Sequence, residues 1–439
     1  MKEKWRCLAM ILAFGCLSIA GCVPYAANPD TPADLLAQSD SPAHMAEGSE
    51  QLQQTNTLPE AASRKQNQPS PTEQASPSNP APSRFPEQRL TLMAVGDIMV
   101  HQEQLDAAWN PGTRTYDFHP FFTNVIPLFR QADWVVGNLE TTMSGSASGY
   151  TGYPMFNTPA ELGHTLKDVG FTAVSTANNH SLDRKEPGIL QTIRHLDEAG
   201  LLHTGTFASA KEREEPLLLQ KDGFTLALLS YTYGTNGIPI PDGKPYLVNL
   251  IKPELIKQDI ARAREKGADL VAVALHFGVE YQRLPNEAQK KTAELCLQYG
   301  ADLILGAHPH VVQPYEWKTV TLEDGREHKG LIAYSLGNFI SAQRWDYKDV
   351  GAILKLTLYK GASGEASIES AEMIPTYVHF YREAGKRHYV IYPVPQTLAR
   401  LKSKEKIPTL TKDAIAYMRR LEDEMAVHVS TVVSRKKAS

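Results

Sequence analysis

From Arg89 onward the chain alternates two rhythms. Apolar runs of strand length occupy 90–95, 132–136, 171–175, 270–275, 303–305 and 331–334, and each predicts a β-strand. Between them, apolar residues return at helical spacing. Ile189, Ile193 and Leu196 share one face of a predicted helix at 188–199, and Leu255, Ile256, Ile260 and Ala263 share one at 254–266. Strands alternating with helices long enough to serve as crossovers predict an α/β fold. Further on, Ile353, Leu354, Leu356 and Leu358 predict a strand, 367–381 a second extended segment and 412–429 a helix. This tail, 346–439, is expected to pack on the core formed by 89–345.

Polar clusters stand at the ends of the predicted strands: Gly96-Asp97, Gly137-Asn138-Leu139-Glu140, Ala177-Asn178-Asn179-His180, His276-Phe277-Gly278-Val279-Glu280, Gly306-Ala307-His308-Pro309-His310 and Ser335-Leu336-Gly337-Asn338-Phe339. In open α/β sheets ligands bind beyond the carboxyl ends of the strands. Any one cluster could be a polar strand-to-loop transition, but six in one topological place point to a site. The His-Pro-His segment says most. Proline disfavours helix at the residue before it, so His308 is expected to be extended, and positions two apart in extended chain share a face. Both imidazoles then aim at one spot. Carboxylate, amide oxygen and imidazole suit Mn, Fe or Zn better than Mg or Ca. More than four N/O candidates suggest two ions, about 3.5–4 Å apart, that activate water and clamp a phosphoryl or acyl oxygen.

Composition changes the picture mainly at the N-terminus. Lys2, Lys4 and Arg6 precede an apolar stretch at 8–20 that is short for a membrane span and reads as a secretory signal, 1–21. It ends in Ile19-Ala20-Gly21-Cys22, which resembles a bacterial lipobox, with Cys22 the lipidated residue. From Pro24 to about Pro86 the chain is rich in Pro, Ser, Gln and Asn and cannot bury enough apolar surface to offset ordering entropy, so 22–88 is expected to be a tether. Of four cysteines, Cys7 and Cys16 lie in the signal and Cys22 carries lipid. Cys296 remains, on the apolar face of a predicted helix. A net charge of −4 gives no nucleic-acid signature.

The ordered motifs, from Gly96-Asp97-Ile98-Met99 through His276-Phe277-Gly278-Val279-Glu280-Tyr281 to Ser335-Leu336-Gly337-Asn338-Phe339, resemble those of the CapA-type poly-γ-glutamate capsule synthesis proteins, a branch of the calcineurin-like metallophosphoesterase superfamily. The resemblance covers about 89–345 and implies a metallophosphoesterase-like layered sandwich with a metal site at the strand C-terminal ends. It also implies that Asp97, Glu140, Asn179, His276, His308 and His310 hold one or two divalent ions, with His180 the catalytic proton donor or charge stabiliser. Asn138, His101 and Asn338 are expected behind these ligands or among them. Two positions depart from the superfamily pattern: Met99 stands where a histidine is usual, leaving His101 as its candidate replacement, and Glu140 where an aspartate usually bridges the ions.

Aromatic, glycine-rich loops at 150–157 and 231–237 could line a pocket, and Arg283, Lys244 and Arg344 could attract an anion. These features lead to the expectation of a lipid-anchored hydrolase on the extracytoplasmic face of a bacterial membrane. Its expected role lies in capsule or poly-γ-glutamate biosynthesis, acting on an anionic polymer or a phosphoester. The alternative is a non-catalytic assembly or export subunit working with poly-γ-glutamate synthase subunits.

Overall fold

The computed structural model describes residues 87–431. The signal, Cys22 and nearly all of the tether therefore lie outside the described residues. In chain order the strands are β1 (Gln88–Ile98), β2 (Trp109–Asn110), β3 (Thr115–Tyr116), β4 (Trp134–Leu139), β5 (Ala173–Ser175), β6 (Leu202–Thr204), β7 (Leu217–Lys221) and β8 (Phe224–Thr232). They continue as β9 (Leu270–His276), β10 (Leu303–Ala307), β11 (Tyr315–Thr321), β12 (Glu327–Ala333), β13 (Asn338–Ile340), β14 (Val350–Lys360), β15 (Ala366–Glu383) and β16 (Lys386–Pro393).

Two mixed sheets face each other. One runs β16-β15-β14-β1-β4-β5-β6 with β13 beside the end of β1; the other runs β11-β12-β10-β9-β8-β7. β1, β4, β5 and β6 are mutually parallel, as are β8, β9, β10 and β12, while β7, β11 and β14 join antiparallel. Residue alternation explains the layering. Leu270, Ala272 and Ala274 of β9 face the first sheet and pack with Leu92, Ala94 and Val136, whereas Val271, Val273 and Leu275 face outward onto Ile256, Ile260, Ala293 and Cys296 of the covering helices. On the far side of the first sheet, Met93, Val95 and Val135 meet Phe122, Phe129, Leu162 and Leu166. A strand buried on both faces reads as a continuous apolar run, which is why β9 is visible in the sequence. The fold is the layered α/β sandwich expected.

The C-terminal strands extend the first sheet, β14 pairing along β1 from Gln88↔Lys360 to Val95↔Ile353. Helix Lys412–His428 lays Met418, Leu421 and Met425 into the inter-sheet core. Cys296 is buried, and burial pushes its thiol up to about 12. It is inert core, as its helical position predicts. Among the described residues no helix is long and apolar enough to cross a membrane.

Candidate metal centre

The centre forms where the C-terminal ends of β1, β4, β5, β9 and β10 meet. Asp97 closes β1, with Asn138 of β4 opposite on one side and Asn338 of β13 on the other. Gly96 makes that junction possible: a Cβ there would lie 1.9 Å from the Gly337 carbonyl oxygen, which accepts the Asp97 N–H at 2.9 Å. Glu140 follows β4 directly, its N–H bonded to the Ile98 carbonyl at 3.0 Å. His276 ends β9, and His308 and His310 follow β10.

These side chains converge. Asp97, Glu140 and His276 offer ligand atoms within 4.8 Å of one another, and so do Glu140, His308 and His310; Glu140 belongs to both groups. Asn138 donates to Asp97 Oδ1 at 2.9 Å and its amide nitrogen lies 3.3 Å from His276 Nδ1. Asn179 Oδ1 lies 2.9 Å from His276 Nε2, and His310 Nδ1 lies 3.0 Å from Asp97 Oδ2. All are buried. Burial, then the neighbouring charge of Asp97, pushes the Glu140 carboxyl well above the usual range. Burial, then His308 and His310, holds His276 far below the usual imidazole value, and burial followed by His310 lowers His308 to about 4. The imidazoles are thus kept neutral, the form that binds metal.

The donors fit a divalent cation on direct evidence: both Glu140 oxygens and His308 Nδ1 are buried without a hydrogen-bond partner. Such groups are rare unless something else satisfies them.

The backbone at His308 corrects the sequence reading. His308 and His310 have φ of 97° and 57°, so the pair lies in a left-handed turn and not in extended chain. Tyr281 N–H bonds to the Pro309 carbonyl at 2.8 Å, and His308 N–H faces the Asp97 carboxylate at 3.4 Å. The turn, and not strand alternation, aims both rings at the centre. A proline excludes helical conformation from the residue before it but does not impose a strand.

His180 sits beside the ligands with Nδ1 2.8 Å from Asp183 Oδ2, which also accepts the Phe156 N–H at 2.7 Å. Sequence reasoning missed Asp183; its signal was the three-residue spacing from His180 in a tight turn. Met99 is buried with its N–H bonded to Ile340, and His101 belongs to neither ligand group. His101 Nδ1 receives the Ala342 N–H at 3.3 Å, its ring meets Phe156, and burial lowers it to about 4. The Asn338 amide donates to Gln343 Oε1 and the Lys348 carbonyl, leaving its own Oδ1 buried and unpaired. Among the cations singled out, Lys244 pairs with Glu186, Arg283 lies over the Tyr347 ring, and Arg344 lies over Phe380 and Trp345. In the 231–237 segment, Tyr231 and Thr232 are strand rather than loop, and Tyr231 is buried with its hydroxyl on Asp259.

Residues 91–343 match the model of a bacterial capsule synthesis protein family, PGA_cap, a span that holds all six motifs. The chain belongs to the PGA_cap family. It is 30% identical to the PGA biosynthesis protein CapA of Bacillus subtilis over 74% of this chain and 78% of that protein. It is also 30% identical to the capsule biosynthesis protein CapA of Bacillus anthracis, over 62% of this chain and 64% of that one. Among solved structures, a putative 5'-nucleotidase from Staphylococcus aureus superposes with a TM-score of 0.41 at 14% identity, covering 76% of this chain and 58% of that one. The calcineurin-like phosphoesterase YfkN of Bacillus subtilis superposes at 0.37 and 12%, covering 76% of this chain and all of that one. Membership in PGA_cap rests on the sequence matches.

Proposed function

We propose that this PGA_cap protein is a metal-dependent hydrolase of capsule or poly-γ-glutamate biosynthesis, held by a lipid on Cys22 at the extracytoplasmic face of the membrane. The observation that carries the catalytic reading is Glu140: a wholly buried carboxylate, shared by two ligand groups, with neither oxygen satisfied. Asp97, Glu140, Asn179, His276, His308 and His310 would hold one or two divalent ions of the Mn, Fe or Zn type. A bound ion supplies Lewis acidity toward an oxygen of the scissile group and lowers the pKa of water. The chain supplies the proton chemistry. Asp183 fixes the His180 ring through Nδ1, so Nε2 is the atom that gives a proton to the leaving group. Asn138 orients Asp97 by donating to its Oδ1.

A specific observation favours the second reading, a non-catalytic assembly or export subunit that keeps the fold: Met99, a core residue, stands where the superfamily places a histidine ligand. One set of variants decides between the two. His180→Ala should retain metal and thermal stability yet lose about 10²–10⁴-fold in hydrolysis of aryl phosphate esters or poly-γ-glutamate. His310→Ala should lose both metal and activity. If polymer production in cells survives His180→Ala at the wild-type level, the assembly reading replaces the catalytic one. In the same cells Cys22→Ser should leave the membrane fraction or go unprocessed; unchanged fractionation overturns the anchor.

A further inference from the structure

We propose that the rim of the metal centre is a saccharide-binding surface, so that the group delivered to the centre is carried on an uncharged sugar chain. This rests on reading the centre as a hydrolytic site and goes beyond it by naming what the rim grips. Four aromatic side chains stand exposed on the loops around the centre: Tyr153 at 74%, Tyr233 at 50%, Tyr281 at 45% and Trp345 at 70%. Two of them meet the site's imidazoles directly, and a third reaches His180 through Phe156. Tyr233 lies 4.7 Å from the His308 ring and stacks parallel to His276 at 6.3 Å, Tyr281 lies 6.1 Å from His310, and Tyr153 meets Phe156, which meets His180.

The fourth is held out by its backbone. Trp345, Asp346 and Tyr347 are three consecutive left-handed residues, with φ of 66°, 49° and 65°. Asn338 clasps both ends of their loop through Gln343 Oε1 and the Lys348 carbonyl. Gln343 in turn donates to the Tyr281 hydroxyl at 3.4 Å, which joins this loop to the tyrosines. A conformation so unfavourable, kept at the mouth of a site, points to a role for the ring it displays.

Charge selects the ligand. On these four loops, 150–157, 233–237, 277–284 and 341–348, the cations are Arg283, Arg344 and Lys348. Arg283 is turned onto Tyr347, Arg344 onto Phe380 and Trp345, and Lys348 covers Tyr281 beside Asp346. Glu280 and Asp346 are exposed. No guanidinium fork is offered to a polyanion, which would also meet both acids. What the rim presents is flat aromatic faces with phenol and amide groups between them, including the exposed Asn236 amide bonded to Asn179. A sugar ring answers both, with C–H faces against the rings and hydroxyls for the amides.

The test is direct binding by full-length protein stripped of metal with EDTA, so that the result does not depend on hydrolysis. Chitotetraose and maltotetraose, AMP and poly-γ-glutamate are titrated by calorimetry. We expect saturable, salt-independent binding of a tetrasaccharide, weakened at least 10-fold by Tyr281→Ala and by Trp345→Ala at unchanged melting temperature, and kept within about 3-fold by Tyr281→Phe, which preserves the ring. Absence of saturable sugar binding, wild-type affinity in both alanine variants, loss in Tyr281→Phe, or tighter binding of AMP or poly-γ-glutamate would each overturn the proposal. Sugar binding that persists while hydrolysis fails removes the catalytic reading and leaves this one standing.

Discussion

Glu140 and Asp183 show how single carboxylates take different roles from their surroundings. Glu140 makes no hydrogen bond through either oxygen, and the nearest imidazole nitrogen, His276 Nε2, stands 3.5 Å from Oε1, so a positive ion is the partner its position calls for. Asp183 has donors instead, the Phe156 N–H and the His180 ring, and is suited to orienting a proton donor. Removing its charge while keeping its shape tests that role. Asp183→Asn should hold its metal and melting temperature and lower kcat by about 10²-fold or more with KM little changed, since His180 loses the carboxylate that fixes its ring. An unchanged kcat would reduce Asp183 to a packing residue. At this scale the sequence showed much of the centre, because ligand chemistry demands residue types that are otherwise rare in cores: Asp97, Glu140, His276, His308 and His310 all converge. It did not show Asp183, since an aspartate three residues from a histidine is common and only the folded turn brings them together.

Strands position these groups, and their close approach depends on glycine at particular places. A Cβ on Gly306, the fourth residue of β10, would fall 1.9 Å from the Tyr334 carbonyl oxygen and 2.4 Å from its carbon. Backbone cannot give way as a side chain can, so Gly306→Ala must part β10 from the chain that follows β12 and displace the turn carrying His308 and His310. We expect it to lower stability by about 1–3 kcal/mol or more and to reduce bound metal together with the melting temperature. Gly325→Ala, in an open turn with a φ of 82°, should cost stability but leave metal content intact. Equal metal loss in the two variants would show that general destabilisation, not the β10 end, sets occupancy. The same elements mark what the sequence could show. Runs such as 270–275 and 303–305 were plain because both faces of β9 and β10 are buried. β8, Phe224–Thr232, is also largely apolar and lies inside its sheet between β9 and β7, but no cluster of ligand-type residues marks its end, so the strand-end pattern does not single it out. The His308 turn was hidden for another reason: its φ is set by Asp97 and Pro309 contacts across the fold, which no local pattern encodes.

Over the whole molecule, the centre ties stability to pH. The two sheets meet around the buried imidazoles of His276 and His308, with His101 half-buried beside them; His101 and His308 are lowered to about 4, and His276 is held well below the usual imidazole value. In the unfolded chain each titrates near about 6.5. Between these values the unfolded chain binds protons that the folded protein refuses, so stability is full above about pH 6.5 and is lost as pH falls toward 4. A shift of this size is worth up to about 3 kcal/mol for each of His101 and His308. Glu140 acts in the opposite sense, because its raised pKa lets the folded protein take up a proton before the unfolded chain does. The metal-free protein is therefore expected to lose melting temperature steadily from pH 7 to 4.5. In Glu140→Gln, which has no offsetting carboxyl, the loss should be steeper. A divalent ion binds only the neutral imidazoles of the folded state, so loading with Mn²⁺ or Zn²⁺ should raise the melting temperature most at pH 7 and progressively less as protons compete. A metal-free protein whose melting temperature is flat across this range would mean that the three rings accept protons when folded as readily as when unfolded, and that the centre is more open to water than its geometry implies.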